Sequence, residues 1–145
     1  MQNAAQRLWD LLRRNSGTLL AAAVAALTAA VLFAGSVSVS LGDDALRIDA
    51  TFSAPVSIGY DDIRAARLLE EMDVGRRLNG MRGARLLAGQ YQNGQFGGYT
   101  LYALADAPAY VDLVTDAGHV VFSAADEAAT REIYERLLDR LPVIP

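Results

Sequence analysis

The feature that most constrains this chain is a stretch, residues 75–102, that is rich in glycine and arginine. It holds seven of the 12 glycines and four of the 13 basic residues, all of which are arginine. Glycine is favoured where the backbone adopts a positive φ or passes close to another group. The stretch therefore predicts turns, bulges and close approaches, in the form of a shaped loop that leads into a hairpin.

The second half of this stretch carries the hairpin signal. Asn93 and Gly94 form a pair that tolerates the positive φ of tight turns. Residues 85–92 and 99–105 are predicted to be the two strands that this turn joins. Residues 71–84 show no apolar periodicity and are predicted to be a long loop, a kind of segment that is usually functional or mobile.

Alternation of apolar and polar residues predicts further strands on both sides of this stretch. Residues 36–41 and 46–50 are predicted to form a hairpin around the turn sequence at 42–44. Residues 56–60 follow Pro55 and are predicted to be an edge strand. Residues 110–115 and 119–122 are predicted to be the last two strands, whereas the composition of residues 63–70 favours a helix.

The C-terminal residues change to a helical period. Apolar side chains recur every four residues from Ala129 to Leu141, and Pro142 ends this stripe. Ser123 lies three residues before Asp126, which is the spacing of a capping box, and is predicted to begin the helix. The predicted fold is mainly β, with seven or eight antiparallel strands followed by one amphipathic helix.

An uncharged apolar block near the N-terminus is the second constraining feature. Residues 17–34 match the lower limit of length for a helix that crosses a membrane. The chain is therefore predicted to have an N-terminal segment at 1–16, one transmembrane helix at 17–35 and a single domain at 36–145. Trp9, with Leu8, Leu11 and Leu12 at helical spacing, predicts an amphipathic turn at the membrane surface.

The charges around the apolar block predict its orientation. Arg7, Arg13 and Arg14 precede it, whereas the charges that follow it most closely are Asp43 and Asp44. The positive-inside rule then places the N-terminus in the cytoplasm and the domain outside, in a single-pass membrane protein. Two alternatives stay open: export after signal-peptide cleavage at residues 34–36, or a buried helix of the soluble domain.

Composition excludes several classes of function. A net charge of −4 argues against a nucleic-acid partner, which requires an excess of positive charge. The chain has no cysteine and no lysine, which excludes disulfides, thiolate metal sites, cysteine nucleophiles and Schiff-base chemistry. The sequence has no Walker loop, dinucleotide fingerprint or nucleophile elbow. No cofactor and no metal are therefore predicted.

Several segments together resemble the bacterial pleckstrin-homology-like (PH-like) domains, in particular their membrane-attached members. The segments are the alternating strand after residue 36, the second strand ending at Phe52, IGYDDI at 58–63, GRRLNG at 75–80, and the hairpins containing GQYQNGQFGGYTLY and TDAGHVVFS. The resemblance implies a partly open barrel of two antiparallel sheets capped by the C-terminal helix, with a strand at residues 63–70. It also implies N-terminal membrane spans, commonly two, and a second span would leave the domain in the cytoplasm.

The arginines of residues 75–102 are the only concentrated positive charge in this acidic chain. Guanidinium groups beside glycine amides suit a phosphate, a lipid headgroup or the carboxylates of a partner. The alternative is structural, with the arginines paired to Glu70, Glu71 and Asp73 to hold the loop on the barrel. The predicted binding residues are Arg76, Arg77, Asn79, Arg82 and Arg85.

The remaining polar residues favour structural roles. The adjacent acids at 43–44 and 61–62 point to opposite faces of a strand, so turns and caps are predicted rather than metal binding. His119, the only histidine, is predicted to be exposed beside a turn. We expect a membrane-anchored, non-enzymatic domain that binds a protein or peptide partner or assembles with itself. Recognition of an anion or lipid headgroup by the arginines, and a small hydrolase using His119, are the alternatives.

Overall fold

The computed structural model describes residues 6–7, 9–10, 13 and 15–142. The chain divides into two compact units, Met1–Phe33 and Ala34–Pro145. Leu8, Leu11 and Leu12 of the predicted amphipathic turn, and Arg14 of the predicted charge pattern, lie outside the described residues.

In the first unit, helix α1 (Ser16–Phe33) covers most of the predicted apolar block. The Thr28 hydroxyl donates to the Val24 carbonyl at 2.8 Å, which satisfies that hydroxyl within the helix. Of the helices in the described residues, none reaches the combination of length and apolar character that a membrane crossing requires. The transmembrane span and its orientation stay predictions.

The second unit is mainly β, as predicted, and has two sheets and one helix. The small sheet has the order β1-β2-β3, and the large sheet has the order β4-β8-β9-β7-β6-β5. The elements are β1 (Val37–Leu41), β2 (Ala45–Ala50), β3 (Val56–Gly59), β4 (Ile63–Leu69), β5 (Arg76–Arg82), β6 (Leu86–Asn93), β7 (Gly97–Leu104), β8 (Tyr110–Thr115), β9 (Gly118–Phe122) and α2 (Glu127–Leu138).

The predicted hairpins β1–β2, β6–β7 and β8–β9 are confirmed, as is the position of β3 at a sheet edge. The predicted number of strands is wrong, because the described residues form nine strands. The predicted antiparallel orientation is wrong for one pair, since β9 runs parallel to β7. After β7 the chain leaves room for one strand before it forms β8. The β8–β9 hairpin then places β9 in this position, between β8 and β7. The large sheet is therefore mixed rather than antiparallel.

Two predictions from composition are also wrong. Residues 63–70 were expected to be helical, but Ile63–Leu69 form β4, paired with β8, as the PH-like resemblance implies. Pairing across the sheet overrides a weak local helix propensity. The predicted loop at 71–84 contains β5, which shows no apolar alternation because it is an exposed edge strand with neither face buried.

The N-cap of α2 (Glu127–Leu138) is Asp126, not Ser123. The Asp126 carboxylate accepts a hydrogen bond from the Ala129 amide at 2.7 Å, which caps the helix. Ser123 instead accepts from the Leu104 amide with its hydroxyl oxygen at 3.0 Å. The helix packs against β4, β1 and β8.

The large sheet has a hydrophobic core on each face. The main core lies between this sheet, the small sheet and α2, and includes Ile48, Phe122 and Leu137. The second core lies on the opposite face, where Tyr91 and Tyr99 are buried under the connection between β4 and β5. This connection starts at one edge of the sheet and ends at the other, so it closes the second core.

Candidate functional site

The predicted binding residues lie on and beside the edge strand β5. Arg76, Arg77, Asn79 and Arg82 are part of this strand, and Arg85 lies in the turn that leads to β6. All five side chains are exposed. Among the described residues β5 pairs only with β6, so no strand covers its other side, although the Gly80 amide and carbonyl bond to the side chains of Asn79 and Arg77. The predicted loop is thus a charged sheet edge.

A bulge at Leu78 decides which arginines share a face. Arg77 lies opposite Tyr91 and Arg82 lies opposite Leu87, with a register shift between Arg77 and Asn79. Tyr91 and Leu87 are four residues apart on β6 and face the same side. Arg77 and Arg82 are five residues apart and would face opposite sides of a regular strand, so the bulge brings them onto one face.

The other two strand residues face the opposite side. Arg76 lies opposite Gln92, and Asn79 lies opposite Gln90. Arg76 donates from Nε and Nη2 to the Gln92 side-chain oxygen at 3.2 and 2.8 Å. The structure therefore presents arginines on both faces of the same edge rather than in one cluster.

The arginines of β5 donate hydrogen bonds to neutral oxygens. Arg77 donates to the Gly80 carbonyl at 3.3 Å, and Arg82 donates to the Gly75 carbonyl at 3.4 Å. Each guanidinium has five N–H donors, so most of them stay available. Within the described part of the chain, no arginine of residues 75–85 forms an ion pair.

The ion pairs that the structural alternative predicted are absent from the described residues. The bonds of the arginines to Gly75, Gly80 and Gln92 agree with its other form, in which they hold this segment on the sheet. Glu70 pairs with Arg131 on α2 at 2.9 Å, not with an arginine of β5. The Asp73 carboxylate accepts from the Gly75 amide at 2.9 Å. Because Glu70 and Asp73 have other partners, neither forms an ion pair with the arginines of this edge.

The backbone of β5 is held close to β6 by two glycines. Gly80 and Gly89 lie opposite each other with φ angles of +94° and +136°. A Cβ on Gly80 would lie 2.3 Å from the Ala88 carbonyl oxygen and 2.7 Å from the Gly89 Cα. Only glycine fits this approach, as the density of glycine in the sequence predicted.

Two buried tyrosines hold the ends of this region. The Tyr91 hydroxyl donates to the Met81 carbonyl at 2.7 Å, and the Tyr99 hydroxyl donates to the Val74 carbonyl at 2.8 Å. Burial raises the pKa of both hydroxyls above their ordinary value. They remain protonated donors at neutral pH and fix the backbone that carries the arginines.

A second set of polar side chains, which the sequence interpretation missed, lies on the strands β8 and β9, away from β5. Asp112 is completely buried and its Oδ1 is 2.8 Å from Nδ1 of His119. The Arg67 Nε lies 3.9 Å from Asp112 Oδ2, which has no hydrogen-bond partner. The prediction of an exposed His119 is wrong, because this partly buried side chain lies on β9 and its ring centroid is 4.6 Å from that of Phe96.

An acid–imidazole pair can hold a histidine in one orientation for proton transfer, but a hydrolase also needs a nucleophile. Among the described residues, His119 hydrogen-bonds to Asp112 alone. The sequence signal for Asp112 was its place inside the apolar strand YVDLVT, where a charged residue demands a partner.

The two pairs of adjacent acids lie in turns, as the sequence predicts. Asp43 and Asp44 lie in the β1–β2 turn, and Asp61 and Asp62 lie in a 3-10 turn, Tyr60–Asp62. Across the residues that the structure describes, no group of three or more His, Asp or Glu side chains is arranged to hold a metal ion.

Comparisons with protein-family models, with curated proteins and with solved structures found no match to this chain.

Proposed function

We propose that the second unit is a non-enzymatic binding domain that accepts an extended, acidic segment of a protein partner along β5. One observation carries this proposal: β5 is an exposed sheet edge whose nearby arginines Arg76, Arg77, Arg82 and Arg85 have no carboxylate partner.

The edge supplies two kinds of interaction. No strand covers one side of β5, so the N–H and C=O groups there that make no side-chain hydrogen bond can bond to an added strand, the mode in which backbone bonds provide affinity. Side chains of such a strand alternate between faces, and arginines lie on both faces of β5. Carboxylates at successive positions can therefore reach Arg76 on one side and Arg77 or Arg82 on the other.

Charge favours a different chain over a second copy of this one. Pairing of two β5 strands would place arginines of both copies close together, and like charges across a strand pair are unfavourable. The chain as a whole has a net charge of −4, which is unfavourable for an acidic partner. The attraction is therefore confined to the positive edge formed by β5.

The test is the binding of a labelled glutamate-rich peptide, followed by fluorescence anisotropy, with a glutamine-rich peptide as its neutral counterpart. We expect replacement of Arg76, Arg77, Arg82 and Arg85 by glutamine to weaken binding by at least about 100-fold, or roughly 2.7 kcal/mol. The matched control replaces four arginines that are ion-paired, namely Arg47, Arg64, Arg131 and Arg136. Equal losses in the two variants would mean that only net charge matters and would refute a site on β5.

Backbone methylation of the peptide separates strand pairing from charge. N-methylation of alternate amides keeps every carboxylate of the peptide but removes N–H groups that an added strand would donate to β5. We expect peptide binding to fall about tenfold, or about 1.4 kcal/mol. Vesicles of phosphatidylserine provide the lipid alternative. Arginine-dependent binding to the vesicles, together with equal binding of the methylated and unmethylated peptides, would replace the peptide proposal by headgroup recognition.

Anchoring at a membrane, the side on which the domain lies and its relation to PH-like domains stay predictions. The hydrolase alternative is supported by the contact between His119 and Asp112, and weakened by the lack of a hydroxyl partner for His119 within the described residues.

A further inference from the structure

A cavity of about 370 Å³ opens on the main-core face of the large sheet, beside the free edge of β3. This volume is within the range of small-molecule sites. Ile58 and Val120 provide apolar walls, while Ser57, Asp62, Gln90 and Thr100 provide polar ones. The cavity does not include the arginines of β5.

The cavity lies where the polarity of the sheet face changes. Ala88, Tyr102 and Phe122 lie side by side on neighbouring strands and belong to the main core. Two residues further along each strand, Gln90, Thr100 and Val120 form the next row on the same face. This row of side chains contains an amide and a hydroxyl. It is therefore better suited to binding a polar ligand than to packing in the hydrophobic core.

The hydrogen bonds within this row leave specific groups free. Gln90 Nε2 donates to Thr100 Oγ1 at 2.9 Å, so the Thr100 hydroxyl proton and the Gln90 side-chain oxygen remain available. At the mouth, Asp116 is occupied by Arg64, whose Nη2 lies 2.6 Å from its carboxylate. Asp62 has a free carboxylate among the described residues. The site thus offers both donors and acceptors.

These groups discriminate between ligand charges. Asp62 repels a carboxylate or phosphate. An ammonium group can donate to Asp62 but cannot accept from Thr100. A hydroxyl group does both, and the C–H face of a sugar ring suits the apolar walls formed by Ile58 and Val120. Entry is open at Gly98 in the next row, since no heavy atom lies within 4 Å of where its Cβ would be.

We propose that this cavity binds a neutral, polyhydroxylated ligand with the size of one sugar ring. The site is separate from the proposed peptide edge, because Gln90 and Thr100 lie inside the sheet face whereas the arginines lie at its border.

The experiment follows backbone amide NMR signals of the full chain while three probes with the same ring are added: glucose, glucuronate and glucosamine. We expect glucose to shift the signals of Ile58, Gln90, Thr100 and Val120 with a millimolar dissociation constant. Glucuronate should bind at least tenfold more weakly, because it carries a negative charge toward Asp62. No localised shift with glucose, or tighter binding of glucuronate or glucosamine, would overturn the proposal.

Two variants complete the test. Thr100→Val keeps the shape and removes the hydroxyl, and it should weaken glucose binding about tenfold while peptide binding stays unchanged. Thr51→Val is the matched control, because it makes the same replacement at a residue that does not line the cavity. Equal glucose binding by Thr100→Val and the parent chain would contradict the assignment, and so would an equal loss in Thr51→Val.

Discussion

Two groups of exposed arginines in the second unit differ in the partners that the fold provides for them. Arg47 and Arg64 each bind one carboxylate through two nitrogens, to Asp49 and Asp116 respectively. Arg131 joins α2 to Glu70 at the end of β4. Arg76, Arg77 and Arg82 on β5 are also exposed, but within the described residues they donate hydrogen bonds only to neutral oxygens. Exposure alone therefore does not separate the two groups, whereas the presence of a carboxylate partner does.

The two groups also depend on different parts of the structure. The paired arginines are held by side chains, and exposed ion pairs contribute little to stability. The arginines of β5 are held by the backbone, through the close approach of Gly80 to Gly89 and the hydrogen bond from Tyr91 to Met81. Changes to the backbone of β5 should therefore affect the unpaired group most.

The largest effect is expected from Gly80→Ala. The added methyl group would lie 2.3 Å from the Ala88 carbonyl oxygen at a φ of +94°, so β5 must move away from β6. We expect a loss of about 3 kcal/mol in the free energy of unfolding, measured by urea denaturation. Binding of the glutamate-rich peptide should also fall, although every arginine remains.

The control for this prediction is Gly94→Ala. No heavy atom lies within 4 Å of its added methyl group, so its stability should stay within about 0.5 kcal/mol of the parent. A Gly80→Ala variant as stable as Gly94→Ala would show that the approach of the two strands is not required.

An intermediate effect is expected at high pH. Burial raises the pKa of Tyr91, Tyr99, Tyr102 and Tyr110, so the folded state keeps protons that the unfolded state loses above about pH 10. The stabilisation is complete below this pH and is lost as the pH rises further. Urea midpoints and tyrosinate absorbance measured together between neutral and strongly alkaline pH should show unfolding and ionisation at the same point.

Tyr99→Phe tests the role of one of these hydroxyls. It removes the hydrogen bond to Val74 and should cost about 1 kcal/mol at neutral pH. It should also make the alkaline loss of stability less steep, because one fewer buried hydroxyl is titrated. Ionisation of the four buried tyrosines named above before any unfolding would contradict the conclusion that burial raises their pKa.

The smallest effect is expected from Arg64→Gln. Hydrogen bonds from Arg64 lower the pKa of Asp116, so this pair stabilises the fold above the ordinary pKa of an aspartate and ceases to do so as the pH falls. The two side chains are 57% and 69% exposed, so solvent weakens the pair. We expect a slightly lower urea midpoint at neutral pH, no difference in strong acid and unchanged peptide binding. Weaker peptide binding in Arg64→Gln would remove the distinction between the two arginine groups.

The hairpins that the sequence predicts correctly are those whose alternation and turn residues are local. The alternating residues of β1 and β2 and the turn between them predicted their hairpin, and the asparagine before Gly94 predicted the next one. The side-chain oxygen of Asn93 accepts from the Phe96 amide at 2.7 Å, which is the kind of local bond that favours asparagine in turns.

Prediction from the sequence failed where a remote strand decided the outcome. Residues 63–69 have a helical composition but pair with β8, which follows about 45 residues later in the chain. The polar sequence of β5 contains no strand signal, and its conformation depends on β6. His119 was treated as a lone histidine, although the β8–β9 pairing brings it to Asp112.

The sequence by itself determined that the second unit is mainly β with a C-terminal helix, that glycines shape residues 75–102, and that the arginines there are a candidate site. Period, turn chemistry and glycine content depend on neighbouring residues, so these features are present in the chain before it folds. Only the tertiary structure decided that β9 runs parallel to β7, that the acids near β5 bind elsewhere, and that Arg77 and Arg82 share a face. Strand order, register and the choice of an ion-pair partner depend on residues that are distant in sequence, and folding alone brings them together.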